Sequence, residues 1–455
     1  MISTVDTISF VSHGIFVSFY IYLYICFNQL SSDSLSQFPT ISKLFNFAQK
    51  ICNIYFILFL YNLITSLMNI NLGIFKFYVD FMGKVFEFIS HNENIFLDFN
   101  VDEEFDGQSS METKRNGSAS PLAMEQRQLS YQQVEKDIDT NGHVKPICPE
   151  VVEKCFAREE PQHWNMLQPY GLRNGKKIPL TLIGTIVWTL GAIIRFTFLV
   201  PLRLGLLIYS IHYLITHIVA ILHLAPQKIQ PILYKANFPT VFLSLMYGPG
   251  GYLRVHNSHF VPKEGEVLVS NHTTPLDIVF AGSYRTFGWF GRFRDGFLGF
   301  VYHSLTRNGG HLWFDLKEKD SLQAKIEARL REKNNYPIII YPEGTCTTTN
   351  VIMRFRKGWF DSASKVYPFA TKYDIRYGPV FWNSKTTSLW AYIWQLSQNW
   401  AAVCDMHFIP PMEKEQGESG VEFAERVRCA IADKINLKKV DHDGYSFKYN
   451  HLKSK

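Results

Sequence analysis

The stretch VLVSNHTTPLDIVF, residues 267–280, decides the fold of this chain. It runs an apolar segment into Asn271-His272 and, after a turn, places an acid at Asp277. Val267 to Val269 read as a short buried strand, and Thr273-Thr274-Pro275 as a turn that opens a helix. A histidine and an aspartate then meet at the carboxyl end of a strand, where open α/β sheets place their chemistry. The neighbouring patterns supply the rest of such a sheet. Strands are expected at 266–270, 337–341, 366–371 and 402–409, with amphipathic helices over 319–333 and 420–435. Strands alternating with helices imply an α/β fold: a mainly parallel sheet flanked by helices on both faces.

At 455 residues the chain is long enough for more than one domain. A net charge of +6 is too mild to argue for nucleic acid and suits anionic lipid or a phosphorylated substrate. The seven cysteines are scattered, with no CxxC pair and no Cys/His cluster, so neither a metal site nor a disulfide framework is expected. Residues 8–27 hold no Lys, Arg, Asp or Glu over 20 positions, about one bilayer crossing, and no basic start precedes them. Residues 51–70 form a second candidate span. Residues 73–89 read as interfacial, because Lys76, Asp80, Lys84 and Glu87 recur at helical spacing. The longest apolar run, 180–222, is interrupted only by Arg195 and Arg203; it reads as two helices meeting near Pro201, with both arginines reaching headgroups. This is the pattern of a membrane protein.

The chain therefore divides into an N-terminal membrane-anchor region (1–97), a polar linker (98–178), a transmembrane or re-entrant helical hairpin (179–224), a catalytic α/β domain (225–440) and a C-terminal tail (441–455). The linker is charged and punctuated by Gly, Ser and Pro, and it carries a glycosylation sequon at Asn116.

An imidazole such as His272 serves as general base near neutral pH if a partner fixes its tautomer, and Asp277 is placed to do so. No G-x-S-x-G elbow is present, so the base is expected to activate a substrate hydroxyl. A second motif, YPIIIYPEGTCTTT (336–349), runs a strand into Glu343-Gly344-Thr345, where glycine permits a close backbone approach. Cys346 has no basic partner within sequence reach and reads as a packing residue. Arg354, Arg356 and Lys357 lie together downstream and could hold phosphate.

The segment Asn271 to Asp277 resembles the N-H-x4-D block of the glycerolipid acyltransferases. HLWFDLKEKD (311–320) resembles their second block, YPEGTCTTTNVIMRFRKGWF (341–360) their third and VYPFATKYDIRYGPVFWNSK (366–385) their fourth. The ordered set is most similar to the endoplasmic-reticulum glycerol-3-phosphate acyltransferases and covers about 180–436. The resemblance implies a multi-pass membrane enzyme of that compartment, with its catalytic domain in the cytosol. It would transfer an acyl group from acyl-CoA, as co-substrate, to the sn-1 hydroxyl of glycerol 3-phosphate, with no metal or redox cofactor and no nucleic-acid partner. His272 would be the base and Asp277 its orienter. Phe314, Glu343, Gly344 and Thr345 would line the acceptor site, and Pro368 would lie near the acyl chain. The sequence departs from the family at Leu316, where the second block carries an arginine suited to phosphate; Lys317, Arg307 and the Arg356-Lys357 pair are the candidate substitutes, with Arg356 and Lys357 preferred. A lysophospholipid acceptor, or a weakened lipid-binding scaffold, is the alternative.

Overall fold

The structure, a computed structural model, describes residues 74–98, 163–173, 176–219, 225–262, 264–292, 310–314, 319–332, 335–383 and 386–441, with Lys50 and Phe156. In chain order the elements are α1 (Ile74–His91), β1 (Tyr170–Arg173), β2 (Lys176–Pro179), α2 (Leu182–Ile194), a π-helical turn (Arg195–Leu199), α3 (Val200–Val219) and α4 (Gln230–Tyr247). The catalytic part follows with β3 (Gly251–His256), β4 (Val267–Ser270), α5 (Leu276–Tyr284), β5 (Gly288–Arg292), β6 (Leu312–Phe314), α6 (Lys319–Arg331), β7 (Ile338–Ile340) and β8 (Val351–Met353). It closes with α7 (Gly358–Ser362), β9 (Lys365–Tyr373), α8 (Leu389–Gln398), β10 (Ala402–Phe408), β11 (Met412–Glu413), α9 (Gly420–Ile435) and β12 (Lys438–Val440).

The central sheet has the order β3-β10-β9-β4-β7-β5-β6, with β11 added on β9. Every pair on that path is parallel except β10 with β9. The expected mainly parallel α/β sheet is therefore what forms. Strand β4 lies between β9 and β7, and all four of its residues are buried. Alternate side chains enter two cores. Val267 and Val269 pack with Ile338 and Ile340 against Ile326 of α6, Phe360 of α7 and Val427 of α9. Leu268, Ile339 and Phe369 pack against Phe238 and Phe242 of α4. A fully buried aliphatic side chain contributes ~1.5–3 kcal/mol, so these two layers fix the β4 register and with it the position of His272. Helix α9 begins at a reciprocal Ser419/Glu422 cap and ends at Asn436 in the left-handed region.

The apolar run does not form a hairpin. Leu182 to Val219 is one continuous helical path, and Leu182–Ile215 is, among the described residues, the one helix long and apolar enough to cross a membrane. A helix-interior proline lacks an N–H and crowds the carbonyl four residues back. The π turn just before Pro201 absorbs that mismatch: Val200 N–H bonds the Arg195 carbonyl, five residues back.

The two arginines also differ from expectation, being buried instead of reaching headgroups. Arg203 donates to the carbonyls of Ser397 (3.0 Å), Asn399 and Trp400, and Arg195 donates to Met166 O (3.2 Å) and Gln398 O (3.5 Å). Apart from Met166 O, these carbonyls lie at or just beyond the end of α8, where helical geometry leaves acceptors without intrahelical partners. Gly250, at φ +70°, leaves room for Arg203: a Cβ there would come within 2.6 Å of its guanidinium.

The end of the expected linker is folded too. Asn165 and Met166 are buried, Trp164 and Leu167 pack with α1 and Trp400, and β1 pairs with β2. Its charge-rich composition had masked these few anchors. Helix α1 puts Val79, Met82 and Phe86 into the same cluster while Phe77, Phe81 and Phe88 stay exposed, which fits the interfacial reading. The spans proposed at 8–27 and 51–70, the sequon, and the tail beyond Asp441 lie outside the described residues.

Replacing Arg203 with Ala removes its hydrogen bonds to the Ser397, Asn399 and Trp400 carbonyls. Charge-assisted hydrogen bonds are worth ~1.5–3 kcal/mol each, so a total loss of about 3 kcal/mol is a conservative expectation. At ~2–4 °C per kcal/mol this lowers the melting temperature of the detergent-solubilised protein by about 6–12 °C, and an unchanged melting curve would refute the capping role.

Candidate active site

Strand β4 ends at Ser270, and the next residue takes over its pairing with a side chain. The Asn271 amide accepts from Thr371 N–H and donates to Thr371 O, both at 2.9 Å, so β9 stays satisfied where the main chain turns away. That turn carries His272 to the carboxyl end of the sheet. Its ring stacks on Tyr341 with centroids 4.4 Å apart, and its side chain keeps 18% exposure.

The turn into α5 brings Asp277 to His272 as the spacing predicted. Nδ1 of His272 lies 2.8 Å from Asp277 Oδ2, and that oxygen also accepts the N–H groups of Thr273 (2.8 Å) and Thr274 (3.1 Å). The second oxygen, Oδ1, accepts the Tyr373 hydroxyl at 2.6 Å. Burial first, and then the Asp277 charge, hold the Tyr373 phenol well above its ordinary pKa, so it remains a donor. Because the carboxylate only accepts, the neutral imidazole carries its proton on Nδ1 and its lone pair on Nε2. Burial disfavours charging this ring, but the Cys346 sulfur and the Asp277 carboxylate outweigh it and raise the His272 pKa well above the usual imidazole value.

The loop after β7 supplies the other wall. Glu343 is fully buried, and its oxygens accept His272 N–H (2.7 Å), Met353 N–H (2.8 Å) and the Thr347 hydroxyl (3.4 Å). It is thus a fastening beneath the site and not a lining group with a free oxygen. Burial pushes its carboxyl up to about 7, although the amides of Met353 and His272 pull the other way. Gly344, at φ +69°, needs the left-handed region and an absent Cβ, because the Arg356 guanidinium lies 2.7 Å from where a Cβ would stand. Gly344 and the half-buried Thr345 form the crest of the turn. Arg356 is thereby brought to the loop. Lys357, 65% exposed, pairs with Asp361 at 3.6 Å and is not.

The remaining expectations divide. Phe314 ends β6 and stacks on Phe290 at 4.9 Å. Pro368 is buried inside the sheet, where it is paired with Val269. Leu316, Lys317 and Arg307 lie outside the described residues. Cys346, read as a packing residue, has its sulfur 3.3 Å from Nε2 of His272. No signal in the sequence brings it there; the contact follows from Thr347 N–H bonding His272 O at 2.9 Å. Tyr373 was missed as well, since only the β9–β4 pairing puts it over Asp277.

Two other features bear on ligands. A cleft of about 480 Å³ lies between α8 and the 379–387 segment, lined by Trp382, Asn383, Tyr392, Trp394 and Arg195 among others. The hydroxyl of Tyr392 at its wall bonds Thr274 Oγ1 and donates to Val380 O. His256, Asp405 and His407 gather across β3 and β10, but the two rings stack 4.1 Å apart and 8° from parallel, and Arg254 takes both Asp405 oxygens. Parallel stacked rings cannot both hold one ion in plane, so the chemistry of this group is that of an ion pair.

His272→Ala and Asp277→Asn should each lower turnover by roughly 10²-fold or more, and the double variant should be little worse than either single one. The base must be neutral, so activity should fall as pH drops through the raised His272 pKa. Without the Tyr373 hydroxyl the Asp277 charge holds the imidazolium more tightly, so Tyr373→Phe should move that acid limb to higher pH. An unshifted profile of kcat/KM against pH would contradict the assigned role of Tyr373.

The profile of the Acyltransferase family matches residues 252–380, the segment that carries His272, Asp277, Glu343 and Arg356. Glycerol-3-phosphate acyltransferase 3 of Danio rerio is 33% identical over 304 residues, covering 66% of this chain and 67% of that protein. The Homo sapiens protein of the same name is 31% identical over 304 residues, covering 66% and 69%. Glycerol-3-phosphate acyltransferase 4 of Mus musculus is 32% identical over 304 residues, 66% of each chain. Among solved structures, the 1-acyl-sn-glycerophosphate acyltransferase PlsC of Thermotoga maritima shares 14% identity, covering 51% of this chain and 96% of its own, with a TM-score of 0.38. With 33% identity across 67% of such a relative, and the His272–Asp277 pair inside the matched segment, the chain belongs to the glycerol-3-phosphate acyltransferase family.

Proposed function

We propose that this chain transfers a fatty acyl group from acyl-CoA to the sn-1 hydroxyl of glycerol 3-phosphate, giving lysophosphatidate. The observation that carries the reading is an imidazole held through Nδ1 by a buried carboxylate at a partly exposed position. Nε2 takes the proton of the acceptor hydroxyl as its oxygen attacks the thioester carbonyl. A tetrahedral oxyanion forms, the carbon–sulfur bond breaks, and the departing thiolate of coenzyme A takes the proton from the imidazolium. A positioned base of this kind contributes typically ~10²–10⁴-fold. Acyl-CoA is a co-substrate, and no metal or redox step enters the route. Arg356, seated on the Gly344 turn, supplies positive charge beside the acceptor.

The site works at a bilayer of the endoplasmic reticulum in this reading, with the catalytic part on the cytosolic side. Support comes from Leu182–Ile215 and from its exposed Leu182, Leu190 and Phe198 side chains. A multi-pass arrangement rests on the N-terminal apolar stretches of the sequence. The test is incorporation of radiolabelled glycerol 3-phosphate by membranes holding the chain, supplied with acyl-CoA, beside lysophosphatidate and lysophosphatidylcholine as rival acceptors. Preference for a lysophospholipid would replace the acceptor, and no acylation of any of them would favour a lipid-binding scaffold.

One observation favours a second route. With its sulfur 3.3 Å from Nε2, Cys346 could itself attack the thioester, pass its proton through His272 to coenzyme A and hold the acyl group as a new thioester. Incubation with labelled acyl-CoA in the absence of acceptor separates the two routes. Direct transfer leaves no hydroxylamine-labile label on the protein, whereas the covalent route leaves one that Cys346→Ser abolishes.

A further inference from the structure

Acyl transfer leaves one concave feature without a role, the cleft of about 480 Å³ between α8 and the 379–387 segment. Small-molecule sites span ~300–1,000 Å³, so this volume is ample for a ligand. The cleft is set apart from the reacting atoms, since neither His272, Asp277, Cys346 nor Glu343 lines it. Much of its lining is aromatic. Trp382 stacks on Tyr392 with centroids 5.4 Å apart and 23° between the planes, and Phe381 and Trp394 extend that surface. Arg195, Gln168 and Gln395 add polar groups. An apolar surface with a few polar groups is the composition of a ligand site.

Arg195 is only 3% exposed, yet it lines this cleft. Its Nη1 and Nη2 hold the Gln398 and Met166 carbonyls, and its guanidinium lies 5.4 Å from the centroid of the Trp400 ring. Nε has no hydrogen-bond partner among the described residues. Carbonyls are neutral dipoles, so the positive charge itself stays uncompensated, and Arg203 brings a second buried guanidinium to the same end of α8. Among the described residues that line the cleft there is no Asp or Glu. A buried charge costs several kcal/mol unless an opposite charge meets it. Arg195 also sits near the middle of Leu182–Ile215, the helix able to cross a membrane. Ionisable residues within such helices are rare and mark ligand pathways.

We propose that this cleft binds a free long-chain fatty acid, with its carboxylate on Nε of Arg195 and its chain along Phe381, Trp382 and Trp394. A single open N–H suits a monoanion, whereas a phosphate calls for the paired donors that Arg195 has committed to carbonyls. The chain has a way in from lipid, because Ile194 and Phe196 on either side of Arg195, and Trp394 at the cleft, are all exposed. The site is independent of which acceptor the enzyme acylates.

The test places the full chain in phosphatidylcholine nanodiscs and follows the saturable quenching of its tryptophans by a dibrominated stearate. The dibrominated stearyl alcohol, the same chain without the charge, should bind about 10-fold or more weakly, the loss of one charge-assisted contact. Arg195→Gln should weaken the acid by a similar factor and leave the alcohol within about three-fold of wild type. Because Arg195 also holds carbonyls, Ala391→Phe supplies a variant that keeps those bonds: its ring fills the cleft from α8 and should weaken both ligands. Trp382→Phe should remove a large share of the quenching, and a saturating acyl-CoA thioether, which cannot transfer its chain, should leave the quenching in place. Equal binding of acid and alcohol, or acid binding unchanged in Ala391→Phe, overturns the assignment. Displacement by the thioether overturns it too, since the chain would then lie in the donor site, as does tighter binding of lysophosphatidate than of oleate in displacement. No acylation enters this readout, so failure here leaves the proposed function standing, and failure of that function leaves this site standing.

Discussion

The carboxylate of Asp277 is the constraint on which the site depends. It is almost wholly buried, and it is satisfied by four donors from three parts of the chain: the His272 ring, the Thr273 and Thr274 amides and the Tyr373 hydroxyl. A buried anion without such partners would cost several kcal/mol. Here the amides come from the turn that enters α5, the phenol from the end of β9, and the imidazole from the end of β4. Meeting the needs of one charge therefore locks a helix to two adjacent strands. The His272 ring is held as a consequence of that locking, with Nδ1 committed to Asp277 and Nε2 facing the Cys346 sulfur.

Glu343 makes a comparable knot from the other side. Its two oxygens join the His272 amide to the Met353 amide, so the main chain at His272 is tied to the end of β8 through the loop after β7. The Asn271 side chain completes the arrangement by standing in for a β-ladder. Three consecutive elements of the sequence, an amide, an imidazole and the turn behind them, thus carry separate structural duties.

Much of this was legible in the sequence because it is local. Strand β4, the turn and Asp277 follow from an apolar alternation, a proline and a spacing within one stretch, and the expected strands and helices fell within about two residues of those observed. What was not legible depends on residues distant in the chain. Arg195 and Arg203 look like interfacial cations in an apolar run, yet all their acceptors but Met166 O lie some 200 positions away at or just beyond the end of α8. The continuous helix was hidden for a different reason: a proline normally breaks a helix, and nothing in composition announces the π turn that absorbs it. Cys346 seemed without a basic partner because proximity was judged along the sequence, whereas the β4–β7 pairing sets it on His272.

The same long-range contacts connect the apolar helix to the chemistry. Arg203, on α3, grips the carbonyls at the carboxyl end of α8. One face of α8 turns Tyr392 inward, where its hydroxyl bonds Thr274 and the Val380 carbonyl. Thr274 in turn gives its amide to Asp277. A path of hydrogen bonds and one rigid helix thus runs from the segment able to cross a bilayer to the carboxylate that holds the His272 ring. The buried arginines are costly to desolvate and would gain more free energy at a headgroup unless the carbonyls they satisfy needed them. Their burial makes sense as structural coupling. The helix long and apolar enough to cross a membrane also sets the position of α8, and α8 helps to hold the turn on which His272 and Asp277 meet.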